Sequence, residues 1–240
     1  MNSSPVVSTH SDIDSSHRAV APAWHSVIVL VAFFALSLIG ALTRNLPGIG
    51  AHGRAPGYVL IMLFEWAIAW FIGYGIRLRG IRISDLVGGR WQRPAQFFRD
   101  LGIGLAFLLL CGVGLLTGLG YVLKAAPNQA LRNLFPHGPT EITVYILLTL
   151  TAGFCEELIF RGYLQRQFAA LTKSAAGGIV LQGIAFGAAH GYQGWKFMLL
   201  IAIYGITFGL LARWRRSLRP GMIAHFLQDA IGGVLGPYLP

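Results

Sequence analysis

The sequence predicts an all-α, polytopic transmembrane helical bundle, and three observations carry that prediction. Apolar runs close to the roughly 20 residues that cross a bilayer recur to the end of the chain. Of 240 residues, 55% are hydrophobic and only 12% are charged. The basic residues gather in short segments between the apolar runs, which is the positive-inside pattern of membrane proteins. That clustering also accounts for the net charge of +10 without a nucleic-acid partner, since no basic stripe lines a soluble domain. The two cysteines, Cys111 and Cys155, lie inside apolar runs and imply neither a disulfide framework nor a thiolate metal cluster.

Taken in order, residues 1–20 are rich in Ser and Thr, show no hydrophobic period, and read as a disordered tail ahead of a membrane-embedded domain over 21–240. They lack the basic start and apolar core of a cleaved signal. The first span covers 24–43 and the second 57–76, with a loop containing Gly and Pro between them. A basic segment over 77–99 carries six arginines, and the third span follows at about 101–123, rich in the small residues that let helices pack closely. Prolines at 127, 136 and 139 mark a loop before the fourth span, which starts near Glu141 and runs at least to Glu157. The fifth span is 175–190 and the sixth 195–212, closed by Arg213, Arg215, Arg216 and Arg219. Pro220 opens a shorter last helix over 221–239, for about seven spans in all. With the N-terminus placed in the cytoplasm, fourteen of the nineteen Lys and Arg fall on the inner side. No internal repeat suggests an inverted-repeat transporter.

The informative residues are the polar groups inside these runs, because a charge at membrane depth persists only when paired, hydrated or used in chemistry. Of nine acids, only Glu65, Glu156, Glu157 and Asp229 fall within spans. Glu157 and Arg161 are four apart, so a helix puts them on one face as a pair. Glu156 is turned about 100° from that face, which leaves it free to act. His190 closes the fifth span, and His225 and Asp229 share a face of the last helix. Three helices, the fourth, fifth and last, thus each bring one polar cluster toward a shared wet cavity. Glu65 has no motif around it and stays outside the expected site. His25, His52 and His137 lie at borders or in loops and read as structural.

Glu156-Glu157-x-x-x-Arg161, Phe186-x-x-x-His190 and His225-x-x-x-Asp229, in that order, resemble the three motifs of the CPBP family, the type II CAAX prenyl proteases and bacteriocin-processing (Abi) proteins. The resemblance covers roughly residues 80–240. It implies an intramembrane endopeptidase with catalytic residues Glu156, His190, His225 and Asp229, supported by Glu157 and Arg161. Glu156 would be the general base, His190 would hold and polarise the water, and His225 with Asp229 would line the oxyanion side. An uncompensated buried carboxylate suits the base, because a neighbouring cation weakens a proton acceptor. Asp229 departs from the Asn often found at that position in eukaryotic members.

Metal-free catalysis is the favoured expectation. Zinc held by Glu156, His190 and His225 is the rival mechanism, although the local His-Glu-x-x-His signature is absent. The implied substrate is a membrane-associated prenyl or leader-type peptide. The expected setting is a bacterial inner membrane, where prenylated CAAX proteins are normally missing. A non-catalytic immunity or regulatory partner of the same fold is the alternative reading, and a proton-coupled carrier a third. Straight spans put Glu156 near the inner surface and His190 near the outer end of its helix. The two meet only if the fourth helix is longer, or the fifth deeper, than this scheme draws.

Overall fold

The computed structural model describes residues 18–43, 53–125, 132 and 134–236. The expected tail up to residue 17, and His52, lie outside them. Every regular element among the described residues is a helix: α1 (Ala23–Thr43), α2 (Ala55–Arg77), α3 (Ile83–Val87), α4 (Pro94–Leu123), α5 (Gly138–Thr172), α6 (Ala175–Ala189), α7 (Trp195–Arg215) and α8 (Arg219–Leu235). The chain is an integral membrane protein. Five helices, α1, α2, α4, α5 and α7, are long and apolar enough to cross a bilayer. The expected fifth and last spans are shorter: α6 has 15 residues and α8 has 17. At 1.5 Å per residue these cover about 22 and 25 Å, less than the roughly 30 Å of a hydrocarbon core.

The chain's own chemistry sets the helix ends. Prolines in the first turn open α2, α4, α5 and α8, where the missing N–H costs no hydrogen bond. Lys124, Lys173 and Arg216 close α4, α5 and α7 in the left-handed region, at φ 49°, 51° and 49°. A basic residue there sets its charge against the negative end of the helix. Ser174 caps α6 by accepting from the Gly177 N–H at 3.2 Å.

The longest helix, α5, runs 35 residues and sits at the centre of the fold. Its middle, Glu157–Leu164, is π-helical, and all eight of those residues are buried. Leu158, Ile159, Phe160, Tyr163 and Leu164 form the core with Ile72 and Ile76 of α2 and Phe186 of α6. Glycines set how closely the neighbouring helices approach. A Cβ on Gly153 of α5 would stand 3.0 Å from both Met222 O and Phe226 N, so α8 crosses α5 backbone to backbone. Gly183 and Gly187 of α6 do the same against Ala202 and Met198 of α7, as small residues four apart do in membrane helices.

The approach to α1 is fastened as well. The backbone N–H groups of Val20 and Ala21 donate to Gln167 Oε1 at 2.7 and 3.2 Å, and both residues are buried. His25 is structural. Its Nε2 donates to Phe71 O at 2.9 Å, so its Nδ1 accepts from the Tyr163 hydroxyl at 2.8 Å.

Candidate active site

The site is built where α8 crosses the π-helical stretch of α5. Arg161 is fully buried and forms an ion pair with Glu157 Oε1 at 2.9 Å, the pairing that their spacing predicts. Its guanidinium is held between the rings of Phe186 and Phe208, at 4.1 and 4.8 Å from the ring centroids. The ion pair therefore has apolar walls and one geometry.

Glu157 then orients His225. The imidazole Nδ1 donates to Glu157 Oε1 at 3.1 Å, which fixes the ring plane and turns Nε2 outward. Nε2 faces Glu156 Oε2 at 3.6 Å and Asp229 Oδ2 at 3.5 Å. Both distances exceed a good hydrogen bond and leave a gap among three functional groups. Glu156 and Glu157 occupy different faces of α5, yet they approach opposite nitrogens of one ring. The two glutamates are thus coupled through His225. Glu156 is mostly buried, whereas the Asp229 side chain is 38% exposed and forms the mouth of the site.

The basic segment holds α8 in this position through Asp100, expected in a loop but found in α4 and fully buried. Asp100 accepts from Trp91 Nε1 at 2.9 Å and pairs with Arg219 at 3.0 Å, Arg215 at 3.6 Å and Arg99 at 3.7 Å. Arg219 is the first residue of α8, so this cluster fixes where that helix begins. At the other end, the Tyr145 hydroxyl of α5 donates to Asp229 O at 3.3 Å.

His190 lies beyond the end of α6, and its Nδ1 is 2.8 Å from Phe186 O. A carbonyl only accepts, so Nδ1 carries the proton and a neutral ring keeps an acceptor lone pair on Nε2. No hydrogen bond or ion pair among the described residues links His190 to Glu156 or His225. Phe186 joins them instead, with its ring centroid 4.8 Å from that of His190 and 6.0 Å from that of His225. An apolar groove of about 340 Å³, lined by Phe34, Ser37, Leu38, Ala41, Ala188 and Gly191, lies between α1 and this turn.

Two groups outside the expected site belong to its surroundings. Glu65 of α2 is buried and near enough to Glu156, His225 and Asp229 to sense their charge. Its only sequence signal is an acid in an apolar run. Tyr192 follows His190 in a short turn, and its hydroxyl accepts from Gln193 Nε2 at 3.0 Å. Burial holds this hydroxyl above the ordinary tyrosine range, and Glu156, Asp229 and Glu65 push it further the same way. Among the described residues, no three His, Cys, Asp or Glu side chains gather closely enough to hold one metal ion. Glu156, His190 and His225 do not form such a group.

Residues 138–231, which hold all three polar clusters, match the family model described as type II CAAX prenyl endopeptidase Rce1-like. The uncharacterized protein YpbD of Bacillus subtilis (strain 168) is 36% identical over 88 residues, covering 36% of this chain and 42% of YpbD. The chain therefore spans less than half the length of that curated relative. No solved structure matches.

Proposed function

We propose that the chain is an intramembrane endopeptidase using a water activated by Glu156, a reading supported by the match of residues 138–231 to the Rce1-like model of type II CAAX prenyl endopeptidases. The observation that carries this reading is the His225 ring, held by Glu157 at 3.1 Å with Nε2 turned toward Glu156 at 3.6 Å and Asp229 at 3.5 Å. An imidazole between carboxylates inside a helical bundle is costly as packing and useful as chemistry.

A water in the gap beside Glu156 loses a proton to that carboxylate while its oxygen bonds to the scissile carbonyl carbon. The carbonyl π pair moves onto its oxygen, on the side lined by His225 and Asp229. Collapse re-forms the carbonyl, breaks the C–N bond, and returns the proton from Glu156 to the leaving nitrogen. His190 assists through the Nε2 lone pair, which its bond to Phe186 O leaves free to accept from the water. Glu157 and Arg161 touch no reacting atom and position His225. The apolar groove beside His190 suits a substrate that arrives anchored in the bilayer, so a membrane-associated prenyl or leader-type peptide is the substrate class. The basic clusters support a cytoplasmic N-terminus in a bacterial inner membrane.

The test is cleavage of a membrane-anchored peptide library by the purified chain in lipid vesicles, with wild type compared to Glu156→Gln. Loss of cleavage in the variant but not with a strong chelator supports the glutamate mechanism. Loss with the chelator as well gives the reaction to a metal. No cleavage by wild type across the library overturns the protease and leaves the non-catalytic partner.

A further inference from the structure

We propose that the arginine cluster around Asp100 is a binding site for the phosphate of an anionic phospholipid, and that its occupancy steadies the start of α8.

Residues 90–100 and 213–219 hold seven arginines and one acid, Asp100. They come together where α4 begins, α7 ends and α8 begins. Because α4 and α7 are long enough to span a bilayer, these ends lie at its border with water. Asp100 cannot satisfy the donors around it. Its Oδ2 pairs with Arg219 Nε at 3.0 Å and accepts from the Trp91 indole at 2.9 Å. Arg215 and Arg99 stand 3.6 and 3.7 Å from Oδ1, too far for a hydrogen bond. Arg215 Nε and Arg219 Nη1 are buried with no acceptor among the described residues. Asp85, the other acid of the basic segment, is spent on α3, where it accepts from the Arg82 N–H at 2.9 Å. One carboxylate thus faces three guanidiniums, and two positive charges stand without an anion.

A phosphodiester supplies what is missing. It carries one negative charge on two free oxygens, and guanidinium forks bind such oxygens in pairs. The aromatic residues favour a lipid as its source. Trp91 lies against Arg219 and Trp214 against Arg215, each guanidinium 5.3 Å from the ring centroid. Trp214 and Phe98 are exposed, at 68% and 65%, and exposed indoles at a membrane border sit among the headgroups. A soluble phosphate ester leaves these rings bare, whereas a lipid covers them with its chains while its phosphate meets the arginines. Basic pockets between membrane helices take anionic headgroups in this way. Arg99 and Arg215 reach the phosphate, and Arg219 passes the restraint to α8, six residues ahead of His225.

The test is native mass spectrometry of the full chain in detergent with equal phosphatidylglycerol and phosphatidylcholine, counting the lipids retained. Wild type is expected to retain phosphatidylglycerol over phosphatidylcholine roughly tenfold, the scale of two basic contacts at a membrane surface. Arg99→Gln combined with Arg215→Gln should remove that preference. Arg77→Gln combined with Arg79→Gln takes the same charge from outside the cluster and should keep the preference within about twofold, since exposed charges are screened. Phosphatidylglycerol should also raise the thermal midpoint of wild type but not of the cluster variant, as a ligand of the folded chain does. If the paired cluster variant does not fold, Arg99→Gln alone carries the test, because that side chain is 53% exposed. Equal retention of the two lipids by wild type overturns the site. A control pair that loses the preference as fully as the cluster pair overturns it in favour of diffuse attraction. Displacement of the lipid by an equal concentration of glycerol phosphate overturns the lipid and gives the cluster to a soluble phosphate ester. None of these readouts depends on peptide cleavage.

Discussion

Two buried acidic centres in this molecule are built on opposite charge balances. Around Asp100, one carboxylate meets three arginines and an indole N–H. Around His225, three carboxylates divide one arginine and one imidazole. The first centre has donors to spare and a single arrangement, so it works as a clamp between α4, the basic segment and the start of α8. The second has fewer cations than carboxylates and leaves His225 Nε2 open between Glu156 and Asp229. Both are acids in an apolar chain; the neighbours decide which becomes scaffold and which becomes chemistry.

The comparison breaks most sharply at Glu156. Glu156→Gln is expected to reduce cleavage roughly 10⁴-fold while leaving the fold intact, checked by turnover beside an unchanged thermal midpoint in micelles. Asp100→Ala should do the reverse, because stranding three arginines costs about 3–5 kcal/mol of stability. Its molecules that remain folded should turn over at the wild-type rate, checked by denaturant unfolding and by cleavage per folded chain. Gly153→Ala tests the link between the centres, since the added methyl meets the α8 backbone at 3.0 Å. About 1–3 kcal/mol should be lost, with cleavage falling alongside, because His225 moves away from Glu156. The smallest change is expected at Glu141, which accepts from the Arg54 and His137 N–H groups at 2.7 and 2.8 Å. Glu141→Gln should cost about 1 kcal/mol and leave cleavage unaffected; a thermal scan measures the first and the peptide assay the second.

What could be read in the sequence was what depends on near neighbours. The all-helical class came from apolar run length, and the pairing of Glu157 with Arg161 from a separation of four. Span count was less legible, because α6 and α8 are apolar but short, and run length alone does not say where a helix stops. Helix length was no more legible: α5 runs 35 residues and carries Glu156 near its midpoint, well past the bilayer thickness that an apolar run suggests. Asp100 reads as part of the basic segment because it follows Arg99, and no local spacing reports its pairing with Arg215 and Arg219 more than a hundred positions on.

The π-helical stretch Glu157–Leu164 divides α5 into two halves that face different partners. The front half meets α8 at Gly153 and α2 at Phe154, stacked on Trp66, while the back half meets the backbone of Val20 and Ala21 through Gln167. The wide turns act as a phase adjuster between two surfaces that a uniform α-helix would leave out of step. Deleting a single residue there would leave a continuous helix but rotate one half against the other by about 100°. The hydrophobic run would survive, and either the docking of the N-terminal segment or the meeting of Glu156 with His225 would be lost. In this chain the number of residues between the two halves is as much a part of the site as their identity.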